Sequence, residues 1–183
     1  MHKSCLCLLL FSFSAGAAEM RSIEVDLVDD RYVMHSEVWF AVGIESLYAV
    51  FLDWDVSTQF SSAIIESREI EPDASGRRQY YTRNRGCVLF FCTSFERSGY
   101  IEHEPFKFIR ATANPEVSDF YLSKETWKFR TEGLGTIVTY DLEFEPKFWV
   151  PPVIGPYFIK RKLRRDGGGA IDRIEVIAQE WQQ

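Results

Sequence analysis

The sequence lacks the short motifs that identify many enzyme classes. It contains no G-x-S-x-G, no H-E-x-x-H, no C-x-x-C and no glycine loop of the kind that cradles phosphate. Its one G-x-G, Gly133-Leu134-Gly135, lies between two strand-like segments and is typical of a turn. Catalysis therefore stays undecided, and the sequence favours a binding role over an enzymatic one.

Histidine is also scarce, with three in the whole chain. His35 and His103 are the two beyond the N-terminal segment, and neither has a companion at metal-ligand spacing, although Glu102 and Glu104 flank His103. We expect both histidines to be polar surface residues. The sequence predicts neither a metal site nor a cofactor.

Long apolar runs are missing as well. The stretch CLCLLLFSF near the N-terminus has nine residues, whereas a membrane-spanning helix needs about 20. It follows Lys3 and precedes the small residues Ala15-Gly16-Ala17, a pattern that predicts a secretory signal peptide over residues 1–18, cleaved after Ala17 or Ala18. We expect residues 19–183 to form a single periplasmic or secreted domain; an uncleaved N-terminal anchor is the alternative.

Basic residues are outnumbered: 21 Lys and Arg stand against 27 Asp and Glu, a net charge of −6. Loss of Lys3 with the leader would make the charge one unit more negative. Such an acidic chain is a poor partner for nucleic acid. Loss of the leader would also leave two of the four cysteines, Cys87 and Cys92, in a compartment where disulfides form.

Strand patterns fill most of the remaining chain. Residues 31–42 alternate as a half-buried strand does, and residues 44–51 change to helical spacing. Asp55 can cap a second short helix that ends near Phe60. Six more strand-like segments then follow, separated by turns: 64–71, 77–86, 92–105, 106–113, 119–132 and 136–146.

The last strand and the C-terminal segment each have one apolar side. Alternation places four strand residues on one face: Val138, Tyr140, Leu142 and Phe144. A helix from about Pro156 to Trp181 presents a matching stripe: Ile159, Leu163, Ile171, Ile174 and Ile177. We expect this helix to cover the apolar sheet face, with a bend or a weak point at Gly167 to Gly169.

This element order, with the motif EFEPKFWVPPVIGPYFIKRKLRR, resembles the START-like superfamily, which also contains polyketide cyclases and coenzyme Q-binding proteins. The likeness spans about residues 30–180. It implies an α+β helix-grip fold: a curved antiparallel sheet of about seven strands wrapped around a long C-terminal helix, with two short helices after the first strand. It also implies a hydrophobic cavity between sheet and helix.

The segment CVLFFC, residues 87–92, has two interpretations. As a straight strand it would hold its cysteine Cα atoms about 16 Å apart, too far for a disulfide, and the thiols would be two reduced core cysteines. The START-like resemblance implies that this segment lies near the cavity mouth. A hairpin tip there could bring Cys87 opposite Cys92. A disulfide there would hold an apolar finger outward: Val88, Leu89, Phe90 and Phe91.

A second apolar loop, residues 148–154, leads into the long helix and is followed by a dense basic cluster: Lys160, Arg161, Lys162, Arg164 and Arg165. Apolar residues beside basic ones fit peripheral docking at an anionic membrane. The alternative is a loop packed under the sheet and a solvated helix face. The sequence does not decide between membrane and protein contact, and it gives no oligomeric state.

The expected function is the binding, and with it the transport or presentation, of a hydrophobic ligand such as a lipid or an isoprenoid quinone. The resemblance implies these cavity and gate residues: Phe40, Val88, Leu89, Phe90, Phe91, Trp127, Val138, Tyr140, Leu142, Phe144, Trp149, Ile159 and Leu163. A cyclase or dehydratase would need a polar group in that cavity, with four candidates: Tyr81, Arg83, Trp127 and Tyr140. A protein-interaction module with a filled core is the third hypothesis.

Overall fold

The computed structural model describes residues 17–88, 91–151 and 154–182. Its eight strands and two α-helices, in chain order, are β1 (Glu19–Val28), β2 (Arg31–Phe40), α1 (Ile44–Leu52), β3 (Ile64–Ile70), β4 (Gln79–Val88), β5 (Phe91–Glu104), β6 (Phe108–Ala113), β7 (Phe120–Glu132), β8 (Gly135–Pro146) and α2 (Gly155–Glu180). Short 3-10 turns at Val56–Gln59 and Pro115–Val117 complete the described elements.

All eight strands form one antiparallel sheet in the order β1-β2-β8-β7-β6-β5-β4-β3. The sheet is curved and unclosed, and α2 lies against its concave side, in contact with β1, β2 and β4. The predicted helix-grip fold is therefore confirmed. None of the helices in the described ranges has the length and apolar character that crossing a membrane requires.

The sheet contains one strand that the sequence analysis missed. β1 precedes the segment predicted as the first strand, which is β2, and joins it through a tight turn at Asp29 and Asp30. Both aspartates have positive φ, 49° and 65°, as the turn of a two-residue hairpin requires. β1 is an edge strand in which Val25 is the one fully buried residue, although Ile23, Val25 and Leu27 alternate with Glu24 and Asp26 as a strand pattern requires.

The region after β2 differs in one detail from the prediction. Asp55 makes no side-chain cap to the 3-10 turn at Val56–Gln59. Asp53 does this instead: its Oδ1 accepts the backbone N–H groups of Asp55 at 3.0 Å and Val56 at 3.4 Å. The short carboxylate thus ends α1 and starts the next turn.

The long helix is continuous from Gly155 to Glu180, through all three glycines, and the bend or weak point expected there stays a prediction. Gly167 and Ala170 line the cavity, and a Cβ on Gly167 would touch Ile23 and Met34 at 3.4 Å. The helix has two parts with different neighbours. Near its C-terminus Ile174, Ile177 and Ala178 pack into the main core with α1, whereas the earlier turns cover an open space.

Candidate functional site

A cavity of about 630 Å³ lies between the concave sheet face and the part of α2 from Phe158 to Ile174. This volume falls within the range of known small-molecule sites, about 300–1,000 Å³. The walls are mainly aliphatic and aromatic side chains from β2, β7, β8, α1 and α2. The interaction-module hypothesis requires that side chains of the protein fill the space between sheet and helix, and they do not fill it.

The sequence-predicted ligand residues surround this cavity wherever the structure describes their side chains. Those placed on its walls are Phe40, Trp127, Val138, Tyr140, Leu142, Phe144, Trp149, Ile159 and Leu163. Leu89 and Phe90 lie outside the described residues, as do the side chains of Val88 and Phe91. That any of these residues contacts a ligand stays a prediction.

Local periodicity explains the wall that β8 provides. Val138, Tyr140, Leu142 and Phe144 alternate with residues whose side chains make polar contacts on the outer face. One outer partner is Asp141, whose carboxylate lies 2.7 Å from Nδ1 of His35 on the neighbouring strand. The strand thus presents an apolar face to the cavity and a charged face to solvent.

The mouth of the cavity lies between the far end of the β4–β5 hairpin and the segment before α2. Its lining residues there are exposed: Arg85, Cys87, Cys92, Thr93 and Trp149. Cys87 and Cys92 are cross-strand neighbours, 4.0 Å apart at Cα, and form a disulfide. Of the two interpretations of CVLFFC, the hairpin is therefore the one that the fold adopts.

The loop before α2 divides between core and solvent. Phe148 stacks on Phe95 at 5.4 Å between ring centroids and meets Phe120 edge-on at 5.6 Å. Trp149 points outward and is 76% exposed at the mouth. The loop is thus anchored by one aromatic residue and leaves the next one free to contact something outside.

The basic cluster at the start of α2 is partly neutralised within the fold. Lys160 lies 3.3 Å from Asp26, and Lys162 lies 2.6 Å from Asp166 on the cavity wall. Arg165 pairs with Asp166 at 3.6 Å yet has a side chain that is 78% exposed. Arg161 is exposed too. The side of α2 near the mouth thus keeps positive charge at the surface.

One buried charged group lies on the largely apolar wall. Glu125 on β7 accepts a hydrogen bond from Arg97 on β5 and another, of 2.7 Å, from the hydroxyl of Tyr140 on β8. The Arg97 and Glu125 side chains are only 15% and 9% exposed. Burial raises the pKa of Tyr140, so its phenol stays protonated at neutral pH and remains a donor.

Several polar atoms beside this group have no protein partner within the described residues: Nε of Arg97, Oγ of Ser123 and Nε1 of Trp54. All three residues line the cavity. A buried polar atom without a partner costs about 1–3 kcal/mol, so such atoms usually meet water or a ligand. These atoms have almost no accessible surface of their own, so a ligand oxygen would reach them only after a small movement of the side chains.

The sequence analysis missed Arg97 and Glu125. The signal for Glu125 was present, because Ser123, Glu125, Trp127 and Phe129 share one face of a strand in which Trp127 had been assigned to the cavity. Two of the earlier polar candidates were wrong: Arg83 pairs with Glu66 at 3.5 Å on the exposed side of the sheet, and Arg68 covers the ring of Tyr81.

His103, expected on the surface, lies outside the cavity and hydrogen-bonds the hydroxyl of Tyr48 through Nδ1 at 2.7 Å. Across the ranges that the structure describes, no three His, Cys, Asp or Glu side chains are grouped in a way that could hold a metal ion. The polar chemistry of the candidate site is thus that of the Arg97–Glu125–Tyr140 group.

The fold is shared with several solved structures. Human STARD10 superposes with a TM-score of 0.66 at 14% identity, over 93% of this chain and 73% of that chain. The chain has a START-like fold. The predicted resemblance is thereby confirmed at the level of the fold.

Two other START-like structures extend the comparison. A STAR-related lipid transfer protein from Xanthomonas axonopodis gives a TM-score of 0.63 at 13% identity, covering 92% of this chain and 100% of that one. The Zhui aromatase/cyclase from Streptomyces sp. R1128 gives 0.64 at 10% identity, covering 84% and 96%. No protein-family model and no curated protein matches the sequence.

Proposed function

We propose that the protein binds a hydrophobic, lipid-like molecule that carries one neutral polar end. The observation that carries this proposal is the largely apolar cavity of 630 Å³ with the buried Arg97–Glu125 ion pair on its wall. Burial of each CH₂ is worth about 0.8 kcal/mol, so a ten-carbon chain gains roughly 8 kcal/mol before the cost of ordering it. The apolar walls supply the affinity, and the polar group selects the head.

The charges of Arg97 and Glu125 indicate which kind of polar end, or head, the ligand carries. Glu125 already neutralises Arg97, so a ligand carboxylate entering the cavity would meet a second carboxylate at close range. A carbonyl or hydroxyl oxygen meets no such repulsion, and a small shift of the Arg97 or Ser123 side chain would let it accept a hydrogen bond from one of them. An isoprenoid quinone fits this chemistry better than a fatty acid.

The START-like fold supports the proposal in general terms, since one similar structure is a lipid transfer protein. Another is an aromatase/cyclase, and a cyclase remains the second candidate because the buried Glu125 and the protonated phenol of Tyr140 could orient a polyketide-like substrate. Turnover of an aromatic polyketide by the purified protein would favour this second function.

The mouth supplies a route for a lipid. Trp149 and Tyr157 are 76% and 61% exposed, and Arg161 and Arg165 lie on the following turns of α2. We propose that this surface docks on anionic membranes after the leader is removed and the protein reaches the periplasm or the exterior. Binding to vesicles of anionic lipid, weakened by Arg161→Gln with Arg165→Gln and by added salt, is the expected result; equal binding to neutral vesicles contradicts it.

A ligand panel with a matched pair of variants tests the cavity. Leu142→Trp fills it from β8, whereas Glu143→Trp places the same side chain on the outer face of the same strand. We expect Leu142→Trp to abolish binding of a short-chain quinone, and Glu143→Trp to leave it unchanged. Equal loss in both variants, or no binding to wild type across quinones, long-chain alcohols and fatty acids, overturns the proposal.

The same ligand panel tests whether the site prefers a neutral polar end to a carboxylate. Glu125→Gln removes the charge that neutralises Arg97 while its amide oxygen can still accept from Tyr140. The affinity for a fatty acid should then rise at least about tenfold relative to the affinity for the quinone, because Arg97 becomes an unpaired cation. An unchanged ratio shows that the head does not lie beside Arg97.

A further inference from the structure

Glu175 is a buried carboxylate on α2 whose role is unrelated to the cavity. It is 5% exposed. Its Oε1 accepts the backbone N–H of Ala41 at 2.7 Å, just beyond the end of β2, and its Oε2 accepts the N–H of Ala18 at 2.6 Å, just before β1. One side chain thus joins the long helix to two segments of the sheet.

The charge of Glu175 has no cationic side-chain partner in the described chain, since no Lys, Arg or His there forms an ion pair with it. The two amide donors stabilise the carboxylate, and a cation beside it would add to that stabilisation. The surroundings are apolar: Ile174, Ile177 and Ala178 next to it on α2 belong to the main core. A cation at this place would therefore be bound favourably.

The N-terminal sequence can supply that charge at one atom. The small residues Ala15-Gly16-Ala17 allow cleavage after Ala17 or after Ala18. Cleavage after Ala17 converts the Ala18 nitrogen, already 2.6 Å from Oε2, into a free amine with an ordinary pKa of about 7.7–8.0. Cleavage after Ala18 removes this atom from the protein.

We propose that the leader is cut between Ala17 and Ala18, and that Glu175 binds the new α-ammonium of Ala18. A signal peptidase catalyses attack of water on the Ala17 carbonyl; the C–N bond breaks, the water oxygen stays on Ala17 as part of a carboxylate, and the Ala18 nitrogen takes both protons of the water to become an ammonium. The half-buried Ala18, which packs against the core, is thereby fixed by an ion pair that the uncut chain cannot form. Processing and final stability are coupled through Glu175.

Intact mass and N-terminal sequencing of the full chain exported with its own leader test the cleavage site. The expected first residue is Ala18. A chain that keeps residues 1–17 overturns the proposal by showing that the leader is not removed. A chain that begins at Glu19 or elsewhere overturns it while leaving export intact. Neither result bears on the cavity.

Paired variants, produced in the same way, test the anchor. Glu175→Gln should lower the Tm by about 6 °C or more, because it leaves a half-buried ammonium without its counter-charge. Glu180→Gln, at an exposed position on the same helix, should lower it by less than about 2 °C.

An inserted glycine separates the ion pair from a merely structural role of Glu175. Placed between Ala17 and Ala18, it leaves the Ala18 nitrogen as an amide after the same cut, with the terminus checked by mass. In the chain with the inserted glycine, we expect Glu175→Gln to lower the Tm by less than half of the drop that it causes without the insertion, since no ammonium remains beside Oε2. Equal losses in the two backgrounds overturn the anchor.

Discussion

Glu125→Gln is the substitution that most directly probes the polar group in the cavity wall. It keeps the side-chain shape and the acceptor for Tyr140 but leaves the guanidinium of Arg97 without a counter-charge. Removing one partner of a buried ion pair costs about 3–5 kcal/mol. The Arg97 side chain is still 15% exposed, so we expect the free energy of unfolding of the ligand-free protein to fall by the lower value of this range, about 3 kcal/mol.

The loss is measured by urea unfolding and by Tm. At about 2–4 °C per kcal/mol for a chain of this size, Tm should fall by roughly 6–12 °C. Arg97→Met combined with Glu125→Gln should recover most of the loss, because no unpaired charge remains. Glu102→Gln is the control: its pair with Arg110 spans 3.7 Å at the surface and should contribute less than about 1 kcal/mol.

Two outcomes would refute this reasoning. If Glu125→Gln costs no more than Glu102→Gln, the ion pair is hydrated and the cavity is not an apolar environment. If the double variant is as unstable as the single one, the loss comes from the shape of the wall and not from the charge of Arg97. Either result would remove the basis for a neutral ligand head.

Three further predictions concern the hairpin, a histidine and two glycines. Replacing Cys87 and Cys92 together with serine should lower the free energy of unfolding by about 2 kcal/mol, as expected for so short a loop; no change in urea titration contradicts a bond in the native protein. Burial and a neighbouring arginine lower the pKa of His103 in the folded protein, so the unfolded chain binds more protons near the ordinary pKa of about 6.5. The free energy of unfolding should therefore fall as the pH drops below about 6.5. A His103 titration midpoint at or above about 6.5, measured by NMR, would contradict this prediction. Gly99→Ala should destabilise, because its Cβ would overlap the backbone of the neighbouring strand β6, whereas Gly168→Ala, with open space around it, should stabilise α2 by roughly 0.5–1 kcal/mol in the same assay.

The sequence was sufficient where the signal was local. Val138, Tyr140, Leu142 and Phe144 share a face because side chains alternate along any strand; the spacing predicted this common face, and the START-like resemblance placed it on a cavity. The stripe of Ile159, Leu163 and Ile171 on α2 followed in the same way from the helical period. Sheet and helix were therefore predictable as two apolar surfaces that meet.

The same reasoning failed where structure depends on distant residues. Arg97 lies on β5 and Glu125 lies on β7, and β6 separates the two strands in the sheet. Neither segment therefore contains a sequence pattern that predicts their pairing. β1 was missed although Ile23, Val25 and Leu27 alternate with Glu24 and Asp26 as in a strand; its turn through Asp29 and Asp30 contains no glycine to mark the hairpin. α2 runs through its three glycines as one helix, so their low helix propensity does not end it.

Native mass spectrometry of the protein isolated from its own cell envelope tests the central claim, that the space between sheet and helix exists to hold a lipid-like molecule. The account predicts an added mass that belongs to a neutral amphiphile, that is extracted by organic solvent, and that is present in Glu143→Trp but absent from Leu142→Trp. Protein that carries only its polypeptide mass in all three forms, and that takes up no added quinone or long-chain alcohol, would contradict it.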